Sequence, residues 1–211
     1  MRISTVIKAL LAATAVAPML AHAESSTATG AGALNTTAHV DFQISIPKFV
    51  FLRIGTGTGT LAGGYGTNNT VDQITWAPTP AAVGTGVLPG AGGDLGTGTE
   101  TAAVYANGNG NVTLSCQTTG PLNDGAGDSI SYATITTTAT TLTSATALTV
   151  CPLGDGVTNN VVIPAVAKVV SRDAKWAYTY SNATVPPAGT YGGGGAGNTG
   201  AGRVTYTAAI P

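Results

Sequence analysis

Glycine and proline punctuate this chain along its whole length, thirty and eleven residues respectively among 211. The runs between them are built from Thr, Val, Ile and Tyr, which suit a pleated surface better than a helix. No stretch sustains a helical apolar period between caps, whereas short alternating runs recur with turn clusters between them. Hydrophobic residues at 43% and charged residues at 8% run opposite to the composition of a disordered chain. The expected fold is all-β: roughly eight to ten short strands arranged as a β-sandwich.

The first 23 residues, MRISTVIKALLAATAVAPMLAHA, read as a leader rather than as structure. Arg2 and Lys8 give a basic start, Ala9 to Leu20 an apolar run, and Ala21-His22-Ala23 a small-residue cleavage site before Glu24. The run is shorter than the roughly 20 apolar residues of a membrane helix and carries Pro18. A bacterial secretory signal peptide is expected over 1–23, an N-terminal extension over 24–47, and one β-sandwich domain over 48–211. Without Arg2 and Lys8 the mature chain has six cationic residues against nine acidic ones, a formal charge of about −3. Neither nucleic acid nor an anionic membrane surface finds a basic patch here. Export also sets the redox state of Cys116 and Cys151. In an oxidising compartment this even pair is expected to form one disulfide.

Along the mature chain, HVDFQISIP alternates strictly: Val40, Phe42, Ile44 and Ile46 share one face and Asp41, Gln43 and Ser45 the other. Pro47 interrupts the pattern, and KFVFLRIG resumes it as far as Gly55. A strand is expected around Val71 to Trp76. A hairpin is expected from Ala102–Ala106 and Asn111–Cys116 across the sequence NGNG, since Asn-Gly supplies the positive φ angles of tight turns. One or two strands follow in SISYATITTTATTLT. SATALTVCP reads as a strand or an irregular link to Cys151, and VVIPAV and WAYTYSN as further strands.

The residue inventory offers little chemistry. The mature chain has one histidine, His39, two residues from Asp41 on the polar side of an alternating run, where an exposed polar face is the ordinary reading. One histidine and two disulfide-bonded cysteines do not make a zinc site. NDGAGD, Asn123 to Asp128, lacks the spacing of a calcium loop and reads as a turn. GTGTGT, Gly55 to Thr60, precedes no helix and so lacks the N-terminus on which phosphate loops depend. Asn35, Asn111 and Asn182 match the N-glycosylation pattern, but abundant threonine makes such matches cheap. Trp76 and Trp176 read as core. No enzyme, cofactor or metal is expected.

The two ends of the mature chain are more informative. PAGTY, with Gly189 and Tyr191, has the form of a tyrosine corner, in which the hydroxyl bonds back to the backbone at the entrance to strand F of an immunoglobulin-like sandwich. GRVTYTAAIP would then be strand F, with Val204, Tyr206, Ala208 and Ile210 on one face and no strand G after it. An uncovered edge of this kind invites pairing with another chain. The alternating segment of Val40, Phe42, Ile44 and Ile46 is a suitable donor for a neighbour's groove. In these features the chain resembles the chaperone–usher fimbrial subunits of Gram-negative bacteria. The resemblance implies an incomplete immunoglobulin-like sandwich completed by donor-strand complementation. It also implies head-to-tail polymerisation with identical subunits, passage by a periplasmic chaperone and an outer-membrane usher, and a place on the cell surface. The chain departs from the common pattern in its mid-chain disulfide and in the long GGGGAGNTGAG loop. The alternative is a self-contained secreted β-sandwich, a binding or surface-coat module in which VDFQISI completes its own sheet.

Overall fold

The structure is a computed structural model that describes residues 24–57, 59–60, 64–193 and 201–211. The expected signal peptide and the middle of the glycine-rich loop lie outside the described residues. The chain divides into two units, one ending at Ile46 and one spanning Pro47–Pro211.

In the first unit, residues 24–46 form no strand. His39 does not address Asp41; its Nδ1 lies 2.8 Å from Glu24 Oε2, with both side chains exposed. The expected alternation persists without a partner. Val40, Phe42, Ile44 and Ile46 are 71%, 88%, 86% and 75% exposed.

The second unit is the expected all-β fold, with two main antiparallel sheets. The first has the order β1-β7-β13-β11, built from β1 (Val50–Ile54), β7 (Thr99–Ala106), β13 (Val170–Tyr180) and β11 (Ile135–Thr140), and β5 (Leu88–Pro89) pairs with the end of β13. The second has the order β12-β8-β14, from β12 (Thr158–Ile163), β8 (Val112–Thr118) and β14 (Val204–Ala209). Three short ribbons decorate the connections: β2 (Gly59–Thr60) with β3 (Gly64–Tyr65), β4 (Ile74–Thr75) with β6 (Ala91–Gly92), and β9 (Leu122–Asn123) with β10 (Ser129–Ile130). In spatial order the first sheet matches the A-B-E-D sheet of immunoglobulin-like sandwiches and β8 and β14 sit as C and F do, but β12, which pairs with β8, follows β11 in the chain, where an immunoglobulin C′ strand would precede D.

The core lies between the sheets. Ala102, Val104 and Ala106 of β7 face Val112 and Leu114 of β8, with Val170, Ala174, Trp176 and Tyr178 of β13. Trp176 is fully buried and its indole N–H donates to Leu148 O at 3.0 Å, so the ring is core, as its sequence context implies. The irregular segment carrying Leu148 is pinned by the Cys116–Cys151 disulfide, with Cα atoms 6.0 Å apart. The NDGAGD turn is built by Asp124, whose Oδ1 accepts from the backbone N–H groups of Ala126, Gly127 and Asp128. The first of these bonds is the chief reason the Asp124 carboxyl is held below its usual range.

Two sequence expectations need correction. The strand expected over Val71–Trp76 shrinks to Ile74–Thr75, because Pro78 and Pro80 follow at once and its partner among the described residues is the two-residue Ala91–Gly92. More consequentially, NGNG does not close a hairpin. β7 and β8 lie in different sheets, and Asn107 to Gly110 carry the chain across the sandwich. None of these four residues has positive φ, the conformation a tight hairpin turn would demand. The asparagines act through their side chains instead: Asn107 bonds to Pro47 and Phe49, and Asn111 Oδ1 accepts from Ala165 N–H at 3.0 Å.

Candidate functional site

The site is an edge rather than a pocket. β14 pairs with β8 in the register Val204↔Thr118 to Ala209↔Thr113, and no strand lies on its other side among the described residues. β1 holds the corresponding place at the end of the first sheet, paired among the described residues only with β7. The two edge strands approach within 8 Å between Cα atoms without forming a ladder.

Both edges carry apolar side chains that turn inward and are only half covered. On β14 these are Val204, Tyr206 and Ala208, continued by Ile210, alternating with exposed Thr205, Thr207 and Ala209. On β1, Leu52 and Ile54 pack on the core while Val50 is 41% exposed. Val112 and Leu114, on the strand next to β14, are by contrast completely buried. The four residues expected from sequence to line the groove are therefore brought together on one strand face, and three of them, Tyr206, Ala208 and Ile210, rest on the core cluster.

Tyr206 is the floor of this edge. Its ring lies 5.6 Å from that of Trp176, and its hydroxyl lies 3.3 Å from that of Tyr178. Burial raises both phenols, that of Tyr206 to about 12. Glu100 lies nearby on the core-facing side of β7, opposite Trp176 in the ladder and 6% exposed. Its carboxyl is pushed up to about 7, first by burial and then by the charges of Asp72 and Asp94. Asp94 is itself engaged, with Oδ2 3.0 Å from Arg53 and Oδ1 accepting from Thr101 N–H. No group of three metal-capable side chains forms among the described residues.

One end of the furrow is closed. Lys48 Nζ donates to Pro211 O, and Gly108 leaves room for both Ile210 and Lys48, since a Cβ there would come within 2.7 Å of Ile210 Cδ1 and 2.9 Å of Lys48 Cε. A strand paired on both sides needs its neighbours about 9.6 Å apart, so an inserted strand must part the edges at this end.

Tyr191 donates its hydroxyl to Pro187 O at 2.7 Å, the local bond expected of a tyrosine corner, but Tyr191 lies in no strand and β14 opens only at Val204. Asn182, one of the glycosylation matches, is 1% exposed and is used internally, donating to Ala82 O and Gly86 O and accepting from Gly84 N–H. Neither the Tyr178–Tyr206 pair nor the bonds of Asn107 is signalled in the sequence, because both join segments whose sheet assignment is not written locally. No protein-family model matches the chain, and no curated protein or solved structure matches it.

Proposed function

We propose that this protein is a structural subunit of a bacterial surface fibre that polymerises by donor-strand complementation. One observation carries the reading: Val40, Phe42, Ile44 and Ile46 present an exposed, alternating apolar face, while the unpaired edge of β14 presents Val204, Tyr206, Ala208 and Ile210 half covered at the same two-residue spacing. A strand repeats each face about every 6.8 Å, so the donor side chains of one subunit fall in step with the groove of the next while their backbone completes its ladder. A contact of this head-to-tail kind does not close on itself and propagates as a fibre.

In this reading the subunit is exported through the periplasm. A chaperone covers the β14 edge there until an outer-membrane usher exchanges it for the next subunit's extension. The role is architectural, with no catalytic step and no cofactor. The test is Phe42→Asp in producing cells. Loss of surface fibre with retention of folded periplasmic subunit is the expected result, and wild-type fibre yield would refute the reading.

A further inference from the structure

A subunit that carries both a groove and a donor faces a choice, because the donor segment directly precedes its own β1. Folding back to cover its own groove would end the fibre at a single molecule. We infer that Asn107, together with Pro47, bars this self-completion and so commits the N-terminal segment to a neighbour. The inference rests on the donor-strand reading above.

The geometry at the start of β1 carries it. Phe49 continues the β1–β7 ladder by one residue beyond the Val50↔Ala106 pair, opposite Asn107. Asn107 N–H donates to Phe49 O at 3.3 Å, and its side-chain Oδ1 accepts from Phe49 N–H at 2.7 Å. The remaining donor of the same amide, Nδ2, reaches Pro47 O at 2.7 Å. One side chain therefore spends an acceptor and a donor on Phe49 and Pro47, and it fixes the direction of the chain where it enters β1.

Folding back onto the free edge of β1 requires a reversal within these same residues. The shortest route is a two-residue loop at Pro47–Lys48 with Ile46 opposite Phe49. Two-residue hairpin loops need positive φ at their first central residue, and proline is locked near −65°. A wider loop must either swing Pro47 and Phe49 away, which breaks both side-chain bonds of Asn107, or run through Ile44 and Ile46, which removes them from the donor face. Pro47 excludes the tight reversal, and Asn107 opposes the wide one that keeps the donor face whole. Asn107 is thus a positioning residue: it touches neither donor face nor groove and acts by holding Pro47 and Phe49.

The test compares unboiled SDS gels of subunits purified from wild type, from Asn107→Ala, and from a variant with four Gly/Ser residues inserted between Ile46 and Pro47. Wild type is expected to give a ladder. Asn107→Ala is expected to raise the ratio of compact, SDS-resistant monomer to ladder about tenfold, in keeping with the loss of two side-chain hydrogen bonds. That monomer should also refuse an added synthetic peptide of residues 38–48, because its groove is filled. Asn107→Asp, which keeps the acceptor for Phe49 and loses the donor for Pro47, should fall between. A merely destabilised domain would instead give monomer that SDS unfolds. If Asn107→Ala does not fold, the insertion decides, since its free loop permits reversal with Asn107 intact and should give the compact monomer. A wild-type ladder unchanged in both variants would overturn the inference and leave the fibre reading standing. Compact SDS-resistant monomer from wild type would overturn both.

Discussion

The hydroxyl of Tyr206 on β14 lies 3.3 Å from that of Tyr178 on β13, joining the two sheets beneath the open edge. Removing either hydroxyl leaves the other without this partner at a largely buried site. Tyr206→Phe is expected to lower the unfolding free energy by about 1–2 kcal/mol. Tyr206→Ala also forfeits the ring packed on Trp176 and is expected to cost about 3–5 kcal/mol. Urea denaturation of the isolated subunit measures both.

Glu100 gives the domain a pH dependence of unusual sign. Its carboxyl titrates near 7 when folded against an ordinary value of 4.5, so between those values the folded state holds the proton more tightly. Stability falls as pH rises through that window and levels off above it. Glu100→Gln should flatten this limb and raise the melting temperature at pH 8 by about 5 °C, read by calorimetry.

Asp173 works in the opposite direction. It is 3% exposed on β13. Burial alone would raise its carboxyl, but hydrogen bonds from the Thr143 hydroxyl and from the Thr143 and Ser144 backbone N–H groups hold it below 3.8. Its contribution is full above the ordinary carboxyl range and is lost as pH falls through the depressed value. The contributions of these two groups are together greatest at mildly acidic pH, between the ordinary values of 3.8 for Asp173 and 4.5 for Glu100. Asp173→Ala should cost about 2–3 kcal/mol at that pH by leaving the Thr143 and Ser144 donors unpaired. Asp173→Asn should mainly flatten the acid limb.

The disulfide closes a sequence separation of 35 residues and anchors the segment that carries Leu148 over Trp176. Replacing both cysteines with serine is expected to cost about 3–4 kcal/mol, and dithiothreitol should reproduce the loss in the wild-type protein. Equilibrium denaturation with and without reductant checks it.

What was legible in the sequence is what is local. Alternation placed β14 and sorted Val204, Tyr206, Ala208 and Ile210 onto its inward face; the even pair of cysteines pointed to the disulfide; and PAGTY marked the local bond that Tyr191 makes with Pro187. NGNG misled because Asn-Gly marks a reversal only when the flanking strands are neighbours. Here both faces of β7 are covered, and the chain leaves for the other sheet. Asn107 has the sequence context of a turn former and acts as a tether for β1, a role that depends on a partner 58 residues away. Glu100 carries no sequence signal, since its elevated carboxyl arises from burial opposite Trp176 and then from the charges of Asp72 and Asp94.

The central claim is that the edge of β14 is completed by Val40 to Ile46 of another copy. The direct measurement is an SDS gel of material sheared from producing cells, run with and without boiling. A ladder of oligomers that collapses to one band on boiling is the expected result. A single monomer band under both conditions, from exported and folded protein, would contradict it.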